Sequence, residues 1–458
     1  MRPAGPQAAL EAEVLGAVTP GAAEAQAVAK DAADLVAAAQ GELQKAGLAG
    51  RATVQGSVAK GTWLAGGADL DLFLLLDPGL PLARLEAAAS QIAPRILQGA
   101  HRRYAQHPYV VGAFRGRAVD LVPAYAVPEA SAKMSAVDRT PFHTAWVLRH
   151  LDESARAQVR LAKRWLKGVG AYGAQTATGG FSGYLVEVLV AKFGSFAAFV
   201  EWLAGDARPR RVTHGSDEVK DDVAPLVVVD PVDPARNCAA AVQAETLELA
   251  IEAAKAYRTK PTRAFFFPAP PRPESASVLR EHQTGAGESW QALLLRPRTD
   301  RLDIVFPQFQ KAARTVAAQL EESGFPVRRI RTHADEAKPE VLLEWVTEAR
   351  QLPATRLHQG PPDDARPNAE RFREKYAQNP DAVGPVRRNA AGRLEVELRV
   401  PQRTAAARLA AILPTLPLGK HAADALPDAL LWTDVGQASE AWAAAVADTV
   451  LGRRPWQR

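Results

Sequence analysis

The ten residues Ala68-Asp69-Leu70-Asp71-Leu72-Phe73-Leu74-Leu75-Leu76-Asp77 constrain the fold more than any other part of the chain. They alternate with a period of two and then run into continuous apolar residues, the pattern of a strand that ends deep in a sheet. Alternation puts Asp69 and Asp71 on one face and turns Leu70 and Leu72 toward the core. Two neighbouring carboxylates repel each other, and half-burial raises the cost. A divalent cation removes it, and hard Mg²⁺ prefers carboxylate and phosphate oxygens. Upstream, Gly56-Ser57 stands in the β-rich segment 51–61; downstream, Asp120 is a lone carboxylate in the apolar strand 118–122 and the natural third ligand. Taken singly, each feature has a plainer reading, with Asp-x-Asp a solvated strand face and Gly-Ser a turn.

The surrounding segments predict a small mixed sheet with helices on one side. Apolar residues recur at helical spacing over 19–47, with Pro20 suited to the first turn and Gly47 to the stop. Residues 85–97 predict a second helix, and 109–114 with 118–122 a hairpin turning at Arg115-Gly116-Arg117. Beyond Pro141 the texture becomes helical, over 142–151, 154–168, 184–193, 195–203 and 238–257, interrupted by the polar stretch 208–222, strand-like 226–229 and the turn Asp230-Pro231-Val232-Asp233-Pro234. In the helix 184–193, Phe181 and Tyr184 at its start read as core residues. After Lys260-Pro261 strands return at 263–267, 290–295, 302–306, 327–332, 341–345 and 394–400, the third leading into a helix to about Glu322. The fold class is α+β.

At 458 residues the chain is too long for one ordinary core. No apolar run reaches the roughly 20 residues that span a bilayer, so no membrane is expected. Glu11 and Glu13 interrupt the stretch where a secretory signal needs an unbroken apolar core, and no export is expected. The single cysteine, Cys238, excludes an internal disulfide framework and a multi-cysteine zinc site, and predicts a reducing, cytoplasmic location. The net charge is only +5, yet an isoelectric point of about 9.3 leans toward an anionic partner.

Gly-Ser, then Asp-x-Asp on the next strand, then a third Asp in a later strand resembles the polymerase-β-like nucleotidyltransferases. The likeness narrows with Gly56-Ser57-Val58-Ala59-Lys60-Gly61-Thr62-Trp63-Leu64, His107-Pro108-Tyr109, Asp138-Arg139-Thr140-Pro141-Phe142-His143-Thr144, Tyr172-Gly173 and Gly180-Phe181-Ser182-Gly183-Tyr184-Leu185. With Asp230-Pro231-Val232-Asp233-Pro234-Ala235-Arg236-Asn237, these are similar to the class I, archaeal CCA-adding enzymes, strongly over about 20–260 and more loosely beyond. Asp69 stands where that family carries glutamate as often as aspartate, which leaves the metal-binding role intact.

The resemblance implies template-independent addition of C, C and A to the 3′ end of tRNA from CTP and ATP, with Mg²⁺ held by the catalytic residues Asp69, Asp71 and Asp120. It implies nucleotide contacts from Ser57, Lys60, His143, Lys163, Tyr172 and Arg236, with Gly56, His107 and Thr140 as further nucleotide or primer contacts. Without it, the basic cluster around Lys163 reads as a solvated helix face, and Arg236 as a brace on Asp230 or Asp233. The implied architecture is a nucleotidyltransferase domain (1–140), a helical central domain (141–260), a C-terminal body (261–311 and 394–458) and a tail contacting tRNA (312–393). Arg328, Arg329 and Arg331 are candidates for gripping RNA, or equally an edge strand defended by charge. A homodimer is left open. The rival readings are a poly(A) polymerase of the same superfamily and a non-catalytic RNA-binding protein on the same scaffold.

Overall fold

Two helices lead the chain, α1 (Pro6–Val18) and α2 (Ala22–Lys45), followed by β1 (Gly50–Gln55), the short α3 (Gly56–Lys60) and β2 (Leu70–Leu76). Then come α4 (Leu82–Ile96), β3 (Gln98–Tyr104), β4 (Pro108–Phe114) and β5 (Arg117–Tyr125). This computed structural model describes residues 5–104, 108–175, 177–206, 210–221, 223–299, 302–335 and 337–458. They divide into two units, one running to Ala269 and including Pro455–Arg458, the other Pro270–Arg454.

In the first unit the strands are ordered β1-β2-β5-β4-β3, with β2 and β5 parallel at the centre and the other pairs antiparallel. Strand β2 is apolar on both faces because both are covered. Leu70, Leu72, Leu74 and Leu76 pack with Val28, Leu35, Ala39 and Leu43 of α2 and Leu85, Ala89 and Ile92 of α4, while Phe73 and Leu75 meet Ala124 on the other side. Arg115 and Gly116 both have positive φ, at 52° and 83°, which closes the predicted β4–β5 hairpin in the sense its twist requires. Strand β3 lies outside the sequence-based expectation; Gln98-Gly99-Ala100-His101-Arg102 carries too little apolar alternation to signal a strand, and it forms by pairing with β4 at the edge.

The helical part comprises α5 (Thr140–His150), α6 (Glu153–Val169), α7 (Gly183–Phe193) and α8 (Phe196–Ala204), the two-stranded parallel ribbon β6 (Arg210–Val212) and β7 (Leu226–Val228), and α9 (Ala244–Thr259). Asp152, Ser182 and Ser195 cap α6, α7 and α8 by accepting the backbone N–H of Ala155, Leu185 and Ala198. Helix α9 begins six residues later than expected, because Asn237 ties the preceding stretch into a turn: its Oδ1 accepts the N–H of Val228 and Ala239. The expected strand 263–267 is instead a single 3-10 turn, Arg263–Phe265. Phe266 is packed among Phe196 and Tyr257, and Phe265 is stacked on Trp456 at 5.4 Å, so burial of aromatic rings outweighs β propensity there.

The second unit contains α10 (Ala276–Ala286), β8 (Glu288–Leu295), α11 (Leu302–Glu322), β9 (Val327–Asp335) and β10 (Glu340–Glu348). Next are β11 (Thr355–Pro362), α12 (Arg366–Ala377), β12 (Arg387–Arg388), β13 (Arg393–Arg399), α13 (Ala405–Ile412), α14 (Lys420–Ala425), β14 (Leu430–Trp432) and α15 (Ala443–Val450). An antiparallel sheet, β14-β8-β10-β9, carries α11, α13 and α14 on one face and α10 and α15 on the other. The strand expected at 302–306 is the first turn and a half of α11, since Leu302, Val305, Phe309, Ala312, Val316 and Leu320 continue one helical stripe through Pro307.

Residues 312–393 span two settings. Up to Glu348 they belong to α11 and the four-stranded sheet; from Thr355 they enter a separate three-stranded sheet, β11-β13-β12, packed on α12 around Phe372, Tyr376, Leu394, Val396 and Leu398. That small module leaves and rejoins the unit at one point, where Leu352 N–H donates to the Arg403 carbonyl (2.9 Å) and Arg403 Nε to the Leu352 carbonyl (2.8 Å). Arg329 donates to the Thr449 and Val450 carbonyls at the end of α15 and pairs with Glu288, and Arg328 pairs with Glu348, so both are engaged inside the unit.

Candidate active site

Strand pairing brings the sequence motifs to one place. In register, Asp71 lies between Gln55 of β1 and Asp120 of β5. Directly after Gln55 the chain turns into α3 through Gly56, whose φ is +68°. A Cβ at that position would overlap the Asp71 carboxylate and come within 2.6 Å of its carboxyl carbon, so glycine is what lets Asp71 lie against the Gly56-Ser57 backbone. Ser57 is half-buried at the start of α3, and its carbonyl accepts the N–H of Thr62. Asp69 is exposed on the approach to β2, while Asp71 and Asp120 are half-buried.

The electrostatics follow from this placement. Burial, then the Asp120 charge, push the Asp71 carboxyl up to about 7; Asp69 and Glu187 add to the rise and Lys60 opposes it. A carboxyl raised for these reasons gains from a cation, so the donor set fits a hard divalent ion. Among the described residues no group of three His, Cys, Asp or Glu side chains is placed to hold a metal ion by itself. A cation held by these carboxylates would draw the rest of its shell from substrate oxygens or water, as Mg²⁺ commonly does.

Lys60 and Lys163 come together on a residue absent from the sequence-based set, Glu187 of α7. Lys60 Nζ donates to Glu187 Oε2 (2.9 Å), and Lys163 Nζ to Oε1 (2.9 Å), to Thr62 Oγ1 (3.0 Å) and to the Thr62 carbonyl (3.3 Å). Thr62 Oγ1 in turn donates to Glu187 Oε1 (2.5 Å). Burial alone would raise Glu187, but Lys163, Lys60 and Thr62 outweigh it and hold the carboxyl at about 2. Lys163 thus has all three N–H groups satisfied, and a phosphate reaching it would replace one of them. Tyr172 is half-buried at a bridge to Phe181, with Lys167 Nζ 5.2 Å from its ring centre, and burial raises its phenol well above the usual range.

A second convergence surrounds Asp230, which is fully buried. His143 Nε2 (2.9 Å) and Arg236 Nη1 (2.8 Å) share its Oδ2, and the Tyr184 hydroxyl (2.9 Å) and Val232 N–H (2.9 Å) donate to Oδ1. His143 stacks on Tyr184 with ring centres 3.9 Å apart, and Lys60 Nζ lies 5.0 Å from the Tyr184 ring centre. Tyr184 packs against the core as expected, while its ring and hydroxyl also reach His143 and Asp230; Phe181, fully buried, is core as expected. Burial lowers the His143 pKa despite the opposing pull of Asp230, which favours a neutral ring at pH 7. Arg139 and Lys133 both pair with Asp233 (2.9 and 2.7 Å), and Thr140 opens α5 next to them. His107 lies outside the described residues.

Comparison with known proteins matches three segments to family models. Residues 40–143 match the nucleotidyltransferase domain, 157–267 the second domain of tRNA nucleotidyltransferase, and 298–430 the C-terminal domain of CCA-adding enzyme. The chain is 39% identical over 368 residues to a CCA-adding enzyme of Halobacterium salinarum, covering 80% of this chain and 81% of that one. It is 38% identical over 347 residues to one from Haloarcula marismortui, covering 72% and 73%, and 35% identical over 367 residues to one from Pyrococcus abyssi, covering 76% and 79%.

Proposed function

The chain belongs to the CCA-adding enzymes, a family of tRNA nucleotidyltransferases built on the polymerase-β-like domain, and from that premise we propose how its own side chains divide the work. The enzyme adds C, C and A to the 3′ end of tRNA without a template. CTP and ATP are the nucleotide donors. Asp71 and Asp120, with Asp69, are the residues that would hold Mg²⁺. What supports this is the cross-strand pair Asp71 and Asp120, with the Asp71 carboxylate lying against Gly56. When bound, Mg²⁺ neutralises phosphate charge and favours ionisation of the attacking tRNA 3′-hydroxyl.

Ser57 and the backbone N–H groups beside it hold the β- and γ-phosphates, and Lys60, Lys163 and Tyr172 complete the triphosphate site. Gly56 provides the close approach, and Thr140 is assigned to the nucleotide or primer, as is His107 on its sequence motif alone. His143 and Arg236 face the base. An enzyme without a template must reject U and G with its own donors. Cytosine offers N3 and O2 as acceptors and adenine offers N1, whereas uracil and guanine present an N–H where those ring nitrogens accept. Arg236 supports this role because only Nη1 is committed, to Asp230 and weakly to Cys238, while Nε and Nη2 donate to no acceptor among the described residues.

The second unit holds the tRNA arms. Its three-stranded module exposes Arg356, Arg371, Arg388, Arg393 and Arg399, which suits a partner recognised through phosphates and 2′-hydroxyls. The one buried cysteine suits a reducing compartment, the cytoplasm. The deciding experiment incubates tRNA lacking its last three nucleotides with each NTP singly and in combination. CTP alone should give two additions, CTP with ATP three, and extension should stop there. A lengthening adenosine ladder would overturn the assignment in favour of a poly(A) polymerase, and binding without incorporation in favour of an RNA-binding protein.

A further inference from the structure

Glu187 sits in the middle of an apolar helix, Gly183-Tyr184-Leu185-Val186-Glu187-Val188-Leu189-Val190, between residues that are core on every side. Its side chain is 1% exposed. A carboxylate is not kept in such a place for packing, since a well-packed apolar side chain there is usually at least as stable. Its partners explain it. The carboxylate receives Lys60 from α3, Lys163 from α6 and the hydroxyl of Thr62 from the loop between α3 and β2. Two lysines whose ammonium groups lie this close, both nearly inaccessible to water, would repel each other without a negative charge between them.

The count of charges matters as much as the contacts. Two ammonium groups against one carboxylate leave one net positive charge, so the cluster is internally braced yet still attractive to an anion. Helix α3 carries Gly56 and Ser57, and the Thr62 N–H donates to the Ser57 carbonyl, so fixing Lys60 and Thr62 also fixes the backbone on which the nucleotide phosphates would rest. Arg160 adds a second tie, its Nη2 donating to the Gly61 carbonyl at 2.7 Å.

We infer that Glu187 is a positioning residue of the nucleotide site, which pins Lys60 and Lys163 to one point and so presets α3 and α6 for the triphosphate. This rests on the reading of Lys60 and Lys163 as triphosphate contacts given above. Glu187 touches neither substrate; it acts through the two lysines.

The test compares wild type with Glu187→Gln, Lys163→Met and the double variant, measuring kcat and KM for CTP and ATP, KM for tRNA, and Tm. Glu187→Gln should raise KM for CTP and ATP alike, on the order of tenfold, with kcat and the tRNA KM within about twofold of wild type. Lys163→Met should cost clearly less in the Glu187→Gln background than alone, because the two act as one unit. Glu187→Asp, which keeps the charge and cannot span both lysines, serves as the second variant and should also raise the nucleotide KM. Unchanged nucleotide KM in either variant, a loss shared equally by nucleotide and tRNA, or additive effects in the cycle would each overturn the positioning role. If wild type itself incorporates neither C nor A, the proposed function fails; if wild type is active and Glu187→Gln matches it, only this inference fails.

Discussion

Gly56 and Asp71 share one volume: the carboxylate of Asp71 occupies the space in which any side chain at position 56 would begin. A methyl group there must displace Asp71 and must also keep a φ of +68°, which costs a residue with a Cβ roughly 1–2 kcal/mol. Gly56→Ala should therefore lower kcat for both CMP and AMP addition by about 100-fold, the scale of an ångström-sized misplacement, with tRNA affinity retained. Single-turnover addition assays measure this, and an unchanged rate would detach Gly56 from the carboxylate site.

Asp120 faces Asp71 across the β2–β5 ladder, and each charge raises the cost of the other. Asp120→Asn and Asp71→Asn should reduce both additions to background while tRNA binding persists. A second readout is independent of turnover. Added Mg²⁺ should raise the Tm of wild type and leave that of Asp120→Asn nearly unmoved, because a ligand stabilises only a protein that binds it. Normal turnover in either variant would end the assignment of these carboxylates.

Arg236 is anchored by one nitrogen to a carboxylate that also holds His143 and Tyr184, so its removal leaves Asp230 with partners. Arg236→Ala should lower kcat/KM for CTP and ATP by about ten- to hundredfold, the worth of one unmade charged hydrogen bond, and change UTP and GTP use little. An equal loss for all four nucleotides together with a lower Tm would make Arg236 a brace on the turn.

Because Leu352 and Arg403 are hydrogen-bonded to each other, the module 353–402 can be replaced by a short Gly-Ser linker without pulling the two ends apart. The shortened protein should keep its fold by circular dichroism, bind tRNA more weakly, and show a shallower slope of log K against log salt. Every phosphate that the module no longer neutralises takes about 0.9 off that slope. Identical affinity and slope would remove the RNA-holding role from this module.

Strands β2 and β5 are legible in the sequence because period-two alternation, a buried leucine run and a lone Asp120 all speak of the same sheet. The edge strand 98–104 has no such signal, since pairing to β4 and not apolar alternation makes it a strand. The stripe Leu302–Leu320 takes the wrong period at its start because its first five residues are too few to separate strand from helix. Glu187 escapes the sequence-based set although a signal exists: a single acid inside an otherwise apolar helix needs a buried cationic partner. Which cation it meets is a tertiary fact, set by α3 and α6 closing on α7, and no spacing along the chain encodes it. Tyr184 packs against the core as its apolar ring suggests, whereas the bond from its hydroxyl to Asp230 is likewise a tertiary fact.

The stacking of Trp456 on Phe265 has a consequence for how the protein is born. The first unit recruits Pro455–Arg458, so during synthesis its aromatic cluster waits for the 185 residues of Pro270–Arg454 to be translated before the last ring can dock. At roughly 5–20 residues per second that interval is about ten to forty seconds, during which Phe265 lacks its stack on Trp456 and has only neighbours such as Tyr257. Trp456 can therefore take its place on Phe265 only after the second unit has been translated.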